Sequence, residues 1–456
     1  MCSGCKGFLY LIFLILICSL KLFAQTIPPE KGIWLSREEI SALPVSGSGW
    51  NNVKNAADHS IGTPDLSNQD DPTNVHVLAK ALVYVRLGDE KYRNEVIDAC
   101  MAAINTENGG RTLALARELA AYVIAADLVG LPADKDQIFR SWLQEILTET
   151  LDGRTLVSTH EQRPNNWGTH SGASRAAVAV YLGDTAELAR TAQVFKGYLG
   201  DRNSYTGFEY GDLSWQADPS KPVGINPKGA TKNGYSIDGV IPDDMRRGGS
   251  FQFPPASTGY PWEGLQGVVA QAEILSRAGY DTWNWQDKAI LRAVQFLYSI
   301  GWEAEGDDTW TPWLIDYHYG TNFHSSGASS PGKNMGWTDW THQAGGGGDG
   351  SAVRVEGKVL DAGNSQPVDG ATLQLKKGSE LFYQTSSNSS GQFVFAAVEP
   401  GSYDLVCFKE GFETKTTPLD VAAGEETIQA NLSLSQTTDN LAPDPPQNVR
   451  LSDFGE

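Results

Sequence analysis

The hydrophobic period of the chain changes at one glycine-rich run, AGGGGDGS at residues 344–351, and this change limits the fold more than any other feature. Before the run, from about residue 74 to residue 300, apolar residues recur at helical spacing; after it they alternate as in β-strands. A run of this composition is typical of a flexible linker. The sequence therefore predicts a helical domain followed by a small all-β domain, and 456 residues suffice for both.

The helical part consists of long segments that end abruptly at glycine. The tripeptide Leu-Gly-Asp ends two of them, at 87–89 and at 182–184, and glycine suits the left-handed position that follows a helix. Because the next segment starts at once, neighbouring helices should form antiparallel hairpins arranged in a closed or incomplete ring. The predicted helices are 75–87, 111–129, 138–151, 173–182, 185–199, 264–278 and 285–298.

The N-terminus indicates export. Lys6 precedes an apolar run that ends at Leu20, and Ala24 offers a small residue at the expected cleavage position. The run is short for a membrane span. We therefore predict a signal peptide at 1–24, a secreted bacterial protein (periplasmic or extracellular) with no membrane span after cleavage, and a helical domain at 25–343.

The charge of the chain restricts its partners. The formal net charge is −20 and the pI is about 4.8, which excludes nucleic-acid binding through a broad basic face. An acidic glycan would need a locally basic cleft in such a protein. No Cys/His spacing typical of a metal site occurs. We predict no metal and no cofactor, and we expect a monomer.

The first candidate site is the segment RPNNWGTH at 163–170, which lies just before a predicted helix. Two amides (Asn165 and Asn166), an imidazole (His170) and Trp167 crowd a helix start, where backbone N–H groups face outward. One such residue often serves only to cap the helix. Several together favour a functional site.

The second candidate site is the segment 238–260, DGVIPDDMRRGGSFQFPPASTGY, within a loop region at 200–261 that is long enough to suggest a function. The guanidinium groups of Arg246 and Arg247 can bind a carboxylate through paired hydrogen bonds. Either arginine could instead pair with Asp243 or Asp244, and for one of the two we expect that structural pairing.

The third candidate site is the segment TWTPWLIDYHY at 309–319. Its aromatic residues could form a stacking wall for a sugar, with His318 among them. Because the spacing also places some of these rings in the core, we expect only one or two, with Trp313 and Tyr317 as candidates, to face a cleft.

These segments resemble the alginate lyase superfamily, whose active site carries an Asn-Asn pair, a nearby His, a downstream Arg and a Tyr that enters a helix. Asn165-Asn166 matches the pair, and the segment 238–247 matches the stretch that ends in the arginine, Arg247. The motif GYP at 259–261, before a helix, matches the tyrosine, Tyr260. His170 lies four residues after Asn166, whereas the typical histidine follows the pair directly. The resemblance implies an (α/α) toroid or incomplete barrel.

The resemblance also implies β-elimination on an acidic polysaccharide. A lyase removes the C5 proton beside the uronate carboxylate and expels O4, and the developing negative charge must be neutralised. Asn166 and Arg247 suit that task. Tyr260 would act as base and then acid on β-1,4-linked mannuronate or glucuronate, with a nearby Arg favouring the tyrosinate, whereas His170 would assist or serve as base for L-guluronate. The predicted substrate-binding residues are Asn165, Trp167, Arg246, Trp313, Tyr317 and His318.

Two other functions remain open from the sequence. A glycoside hydrolase on a similar barrel would need an acid–base pair of carboxyl groups. A non-catalytic glycan-binding protein would need none. The hydrolase candidates are Asp243, Asp244, Glu263 and Asp316.

The part after the linker is predicted to form strands at 353–359, 372–376, 392–398, 403–409 and 427–434. The motifs GKVLD at 357–361, PVDGA at 367–371, SGQFVF at 390–395 and PGSYDL at 400–405 resemble the carboxypeptidase-regulatory-like domain. That resemblance implies a small prealbumin-like all-β sandwich at 352–435, an accessory module without chemistry of its own. Residues 436–456 resemble a linker and the start of a fibronectin type III domain.

Overall fold

The computed structural model of the protein describes residues 31–324, 328–343, 353–398, 400–422 and 427–437. The predicted signal peptide at 1–24, the linker at 344–351 and all but the first two residues of the predicted tail at 436–456 lie outside these described residues. Of the helices that the structure describes, none is long and apolar enough to cross a membrane.

The part of the chain before the linker is helical. Its first helices bury one face each, whereas α5 is buried along almost its whole length. The helices within the described residues are α1 (Arg37–Ala42), α2 (Ser48–Asp58), α3 (Thr73–Leu87), α4 (Glu90–Ala103), α5 (Thr112–Val129), α6 (Ala133–Ile146), α7 (Leu156–Gln162), α8 (Asn166–Leu182), α9 (Thr185–Tyr198), α10 (Pro242–Met245), α11 (Tyr260–Arg277), α12 (Trp285–Ser299), α13 (Thr311–Tyr319) and α14 (Thr338–Thr341).

Several helices begin earlier than the sequence predicts, among them α6 at Ala133 and the two that carry candidate site residues, α8 and α11. Helix α8 starts at Asn166 because the side chain of Asn165 caps it by accepting a hydrogen bond from the backbone of Trp167. Helix α11 starts at Tyr260, and Pro261 suits its first turn because proline needs no hydrogen-bond partner there. The asparagine pair and the tyrosine therefore lie at helix N-termini rather than in loops.

Helices α3, α5, α8 and α11 pack side by side, and α8 and α11 run parallel. Gly267 of α11 lies against Thr169 of α8, and Gln271, one turn later, lies against Gly172. An added Cβ at Gly172 would come within 2.3 Å of the Gln271 amide oxygen, so glycine is required for this close approach. The N-termini of both helices consequently end on the same side of the domain.

The part after the linker is a sandwich of two four-stranded sheets, with orders β10-β3-β6, in which β9 also pairs with β3, and β5-β4-β7-β8. The expected layout, a helical domain followed by an all-β sandwich, is confirmed. The strands are β3 (Val353–Asp361), β4 (Thr372–Lys377), β5 (Glu380–Ser386), β6 (Gln392–Val398), β7 (Gly401–Phe408), β8 (Lys415–Val421), β9 (Thr427–Gln429) and β10 (Leu432–Leu434), after a short hairpin of β1 (Thr231–Lys232) and β2 (Tyr235–Ser236) in the helical part.

The sequence did not predict strands β5 and β8, and the single strand predicted at 427–434 is divided into β9 and β10. Both missed strands lie at the edges of their sheet, where one long side faces water and apolar alternation is weak. Pro418 in β8 is tolerated for the same reason, because an edge strand has hydrogen-bonding positions that need no donor.

Candidate active site

Two aspartates of α10 bring the first two candidate segments together. The Asn165 Nδ2 donates to Asp243 Oδ2 at 2.9 Å, and the backbone N–H of Asn166 donates to Asp244 Oδ1 at 3.1 Å. Carboxylates at a helix N-terminus stabilise the helix through its unpaired N–H groups. The segments 163–170 and 238–260 therefore meet at the start of α8.

The two adjacent arginines have different partners. Arg246 binds Asp243 through two hydrogen bonds, Nε to Oδ1 at 2.7 Å and Nη2 to Oδ2 at 3.1 Å. Asp243 also accepts from the backbone N–H of Gly211 at 3.0 Å. The expected structural pairing of one arginine is confirmed, and Arg246 is the one that makes it.

Arg247 is exposed and lies on the tyrosine of the second segment. Its Nη2 donates to Tyr260 Oη at 2.9 Å, and its Cζ lies 4.1 Å from the centre of the Tyr260 ring. This geometry combines a charge-assisted hydrogen bond with a cation–π contact. Among the ion pairs of the described residues, none includes Arg247. We call these two residues the Arg247–Tyr260 pair.

Asn166 lies close to this pair. Gly264 is one helical turn after Tyr260, and a Cβ built on Gly264 would lie 3.9 Å from the Asn166 backbone nitrogen. The same Cβ would lie 2.4 Å from Asp244 Oδ2. Glycine at position 264 thus lets the Asp244 carboxyl group and the start of α8 approach the first turn of α11.

The surroundings of the pair are basic. Burial, together with the neighbouring Arg154, Arg246 and Arg247, lowers the pKa of Arg163, against the opposing effect of Asp243. Arg163 also lies 5.5 Å from the half-buried Trp167 ring. Arginines from three segments thus converge in a protein of net charge −20, as an acidic substrate would require.

Asp244 is fully buried, and burial raises its pKa well above the ordinary value, with Asp243 adding to the effect. Its Oδ2 and the Oδ1 of Asn166 are buried atoms without a hydrogen-bond partner. Buried polar atoms are almost always paired, so unpaired ones concentrated at one place are typical of a functional site.

His170 is part of the protein interior rather than of an open surface. Its side chain is fully buried one turn into α8, and burial, with Arg117 and Lys333, holds its pKa well below the ordinary value. The imidazole is therefore neutral at pH 7. Its direct contact with substrate stays a prediction that this burial does not favour.

Two cations, Arg117 and Lys333, join the site at Glu263 without any signal in the local sequence. Arg117 Nη2 binds Glu263 Oε2 at 2.5 Å, and Lys333 Nζ lies 3.4 Å from Glu263 Oε1. Glu263 is one turn after Tyr260 on α11. Arg117 belongs to α5 and Lys333 to the segment after α13, so neither the spacing of the motifs nor the helical period could have linked them to the site.

Asp308 is a further residue that the sequence did not indicate. Burial raises its pKa to about 7; the hydrogen bond from Gln266 opposes the rise, and Asp307 and Glu263 add to it. The Gln266 Nε2 donates to Asp308 Oδ1 at 2.8 Å. Asp308 therefore titrates near neutral pH beside the first turns of α11.

The third candidate segment lies elsewhere. His318 Nε2 binds Glu273 Oε2 at 2.6 Å, and the His318 ring stacks on Trp283 at 4.1 Å. Because Glu273 is thirteen residues after Tyr260 on the same helix, the two lie about 20 Å apart along its axis. The structure therefore does not bring His318, or Tyr317 beside it, to the Arg247–Tyr260 pair.

Trp313 has a different environment. Its ring stacks on His324 at 3.8 Å, and His324 Nδ1 binds Asp316 Oδ2 at 2.6 Å. Trp310 of the same segment is fully buried, as expected for part of the aromatic set. Within the part of the chain that the structure describes, the stacking partner of Trp313 is His324 and belongs to neither of the first two segments. Within the described ranges no group of three or more His, Cys, Asp or Glu side chains is arranged to hold a metal ion.

Residues 77–203 match the alginate lyase family. Residues 354–435 match the carboxypeptidase regulatory-like domain. Both resemblances predicted from the sequence are confirmed over these ranges and in the predicted order. The first match includes the Asn165-Asn166 pair and ends before Arg247 and Tyr260. No curated protein matches the chain.

Among solved structures, the chain is similar to the pilus 2b backbone protein of group B streptococcus (14% identity, TM-score 0.17), covering 19% of this chain and 41% of that one. It is also similar to the 5-hydroxyisourate hydrolase of Klebsiella pneumoniae (18% identity, TM-score 0.16; 19% and 91% covered) and to the hydroxyquinol 1,2-dioxygenase of Pseudomonas putida DLL-E4 (13%, 0.15; 20% and 58%). The chain thus spans less than two thirds of the pilus protein and of the dioxygenase. Similarities with TM-scores this low carry no argument about function.

Proposed function

We propose that the chain is a secreted polysaccharide lyase that cleaves a β-1,4-linked uronic-acid polymer, mannuronan (alginate) or glucuronan, by β-elimination. The match of residues 77–203 to the alginate lyase family supports a polysaccharide lyase. The apolar N-terminal segment supports secretion. The Arg247–Tyr260 pair is the observation that favours β-elimination over hydrolysis.

Elimination needs a base close to C5 and positive charge close to the uronate carboxylate. Tyr260 Oη accepts a hydrogen bond from Arg247 at 2.9 Å, and such a bond stabilises negative charge on the tyrosine oxygen. In our proposal the tyrosinate takes the C5 proton and then returns it to the departing O4. One residue can perform both steps because the proton and O4 leave from the same face of mannuronate or glucuronate.

The charge that builds on the carboxylate during proton removal is the second requirement. Arg247 is exposed and is not paired with any described carboxylate. It can therefore bind the substrate carboxylate while it keeps its hydrogen bond to Tyr260. The N-terminus of α8 at Asn166 and the neighbouring Arg163 add favourable potential. These groups stabilise the transition state more than the ground state, because the substrate gains negative charge only as the proton leaves.

His170 has a supporting place in this proposal. Its neutral ring is fully buried, and the backbone of His170 lies against Gly267, so we assign it to the packing of α8 on α11 rather than to the sugar. We therefore favour mannuronate or glucuronate over L-guluronate, which would need a second base on the opposite face of the ring.

The hydrolase alternative receives less support. Arg246 and Asn165 bind Asp243, Arg117 and Lys333 bind Glu263, and Asp244 is buried. Asp316 is also buried and accepts hydrogen bonds from Thr321, Phe323 and His324. A hydrolytic pair needs two carboxyl groups that reach the glycosidic oxygen and a water molecule, and each of these four is buried or bound by internal partners.

The test is an assay of the secreted chain against mannuronan, polyguluronate, glucuronan and a neutral glucan, following the ultraviolet absorbance of unsaturated uronate. We expect absorbing product from mannuronan or glucuronan. Tyr260→Phe should lower turnover by about 100-fold or more, since it removes the acid–base group. Tyr280→Phe, which removes a hydroxyl far along the chain from α11's first turn, is the matched control and should keep full activity.

Each other outcome contradicts a stated part of the proposal. New reducing ends without ultraviolet absorbance would establish hydrolysis. Binding without product would establish a non-catalytic protein. Absorbing product that persists at normal rates in Tyr260→Phe would keep the lyase and remove Tyr260 as its base.

A further inference from the structure

A groove of about 460 Å³ lies between the helical domain and the β-sandwich, away from the residues used above. Helix α12 packs against strands β5 and β6 there. On the helical side the groove is lined by Lys228, Phe253 and Lys288, and on the sandwich side by Phe382 and Gln384. Nothing in the proposed elimination step uses it.

The groove presents aromatic surfaces to solvent. Phe253 stacks on Tyr235 with ring centres 4.3 Å apart and an angle of 16° between the planes. Phe382, which lines the groove, is 42% exposed, and Tyr235, which stacks on Phe253 outside the lining, is 39% exposed. An exposed aromatic ring that lines a concave surface indicates a ligand with an apolar face, and a pyranose ring has one.

The charges in the groove favour an anionic ligand. Lys228 and Lys288 are exposed, and neither takes part in an ion pair among the described residues. Two acidic residues line the groove, Asp238 and Asp287. Asp238 is already bound by Arg292 and by the backbone N–H of Gly229, so Asp287 is the one acidic lining residue whose charge opposes the two lysines. Unpaired lysines are notable in a chain of net charge −20.

The backbone at one wall is held in an unusual conformation. Gln286, Asp287 and Lys288 have φ of +51°, +55° and +56°. Left-handed conformation is costly for residues with a Cβ, and consecutive examples persist only where the surroundings enforce them. Such enforced backbone is concentrated at ligand sites, and this turn puts Asp287 and Lys288 on the groove wall.

Arg292 enforces that turn. Its Nη2 donates to the carbonyl of Gln286 at 2.9 Å and its Nε to the carbonyl of Asp287 at 3.0 Å. Its Nη1 donates to the carbonyl of Asn226 at 2.9 Å, which ties the turn to the loop region behind the groove. One buried guanidinium therefore stabilises the whole wall.

The groove is within reach of the cleavage site. Phe253 follows Arg247 by six residues in the same loop, so the two lie at most about 22 Å apart. A polymer that leaves the Arg247–Tyr260 pair toward this loop can therefore extend to the aromatic surface.

We propose that this groove is a second binding site for the acidic polysaccharide, where aromatic rings support a pyranose and the lysines bind its carboxylates. The class of ligand rests on the proposed function. The groove holds sugars that do not react, so it lowers KM for the polymer and leaves kcat unchanged. Short oligosaccharides that fill only the cleft do not depend on it.

The test compares two variants, Lys288→Ala and Phe382→Ala, with Phe408→Ala, an equally exposed phenylalanine on another strand of the same sandwich. Binding is measured without cleavage by titration calorimetry of the full chain carrying Tyr260→Phe. The probes are oligomannuronate and oligoglucuronate of about ten sugars. Each groove variant should weaken binding of these probes roughly tenfold, and Phe408→Ala should not. With Tyr260 intact, the groove variants should raise KM for the polymer at constant kcat.

The outcomes separate this proposal from the proposed function. Unchanged affinity and unchanged KM in both groove variants, with normal lyase activity, would overturn the second site and keep the lyase. Weakened binding in the groove variants of a chain that cleaves no uronate polymer would keep the site and overturn the lyase. Because Phe382 and Lys288 are exposed, thermal unfolding of both variants should equal that of the parent; if Phe382→Ala unfolds early, Lys288→Ala decides.

Discussion

The two ends of helix α11 carry similar residue types and are organised in opposite ways. At its N-terminus, Tyr260 lies beside Arg247, and several cations there lack a carboxylate partner. Near its C-terminus, Glu273 binds His318 and His342, which we call the Glu273 cluster. A tyrosine, a tryptophan and basic side chains occur at both ends. The difference teaches that pairing, not composition, decides which end is free to act on a ligand.

Electrostatics explains the difference. Burial alone would raise the pKa of Glu273, but the hydrogen bond with His318 and the nearby His342 hold it well below the ordinary value. That carboxylate is therefore ionised, with two imidazoles beside it inside the protein. At the other end burial raises the pKa of Asp308 to about 7, with Asp307 and Glu263 adding to the rise. Glu273 is thus held ionised by its neighbours, whereas burial shifts Asp308 toward its neutral form.

The largest predicted effect is on kcat and concerns the two adjacent arginines, Arg246 and Arg247. Arg247→Lys should lower kcat by about 10- to 100-fold, because an ammonium group keeps the charge but loses the planar stacking on Tyr260 and the forked donors. Arg246→Lys should change kcat much less, since Asp243 already occupies Arg246. Steady-state kinetics on the uronate polymer measure both. Equal losses in the two variants would mean that pairing with Asp243 does not distinguish them.

The second prediction concerns the Glu273 cluster near the C-terminus of α11. Glu273→Gln should lower the free energy of unfolding by roughly 2 kcal/mol, because it removes a buried charged hydrogen-bond partner of His318. Turnover well below the melting temperature should stay the same. Urea unfolding and the lyase assay together check this. A loss of kcat without a loss of stability would place the Glu273 cluster in the catalytic machinery.

The smallest effect is a pH dependence. Because the pKa of Asp308 is raised in the folded state, the folded chain binds a proton that the unfolded chain has lost between about pH 4 and pH 7. Asp308 therefore contributes stability at low pH that disappears as the pH rises through this window. Asp308→Asn should remove this pH-dependent contribution to stability, so that the thermal unfolding midpoint of the variant falls less than that of the parent between pH 5 and pH 8. The same change of midpoint with pH in both proteins would contradict the burial of this carboxyl group.

Most of the fold could be predicted from the sequence because its signals are local. Helix ends at Gly88 and Gly183, the alternation in β3 and β7 and the linker at 344–351 need no partner to be recognised. The edge strands β5 and β8 were not predicted, because solvent on one side weakens the alternation of apolar and polar residues on which such a prediction depends.

The candidate site was predictable only in part. Asn166, Arg247 and Tyr260 belong to motifs with recognisable spacing, and the fold brings their segments together through Asp243 and Asp244. Arg117 and Lys333 belong to no motif and reach Glu263 from other parts of the chain.

By itself the sequence determined the order of a helical domain and a sandwich, the resemblance to alginate lyases and the segments that hold the chemistry. Only the tertiary structure decided that Arg246 is paired while Arg247 is free, that His170 is buried and that His318 serves Glu273. The physical reason is that helical spacing defines the face on which a side chain lies. Whether its charge is neutralised depends on what packs opposite that face, which can be as distant in the sequence as Arg117 is from Glu263.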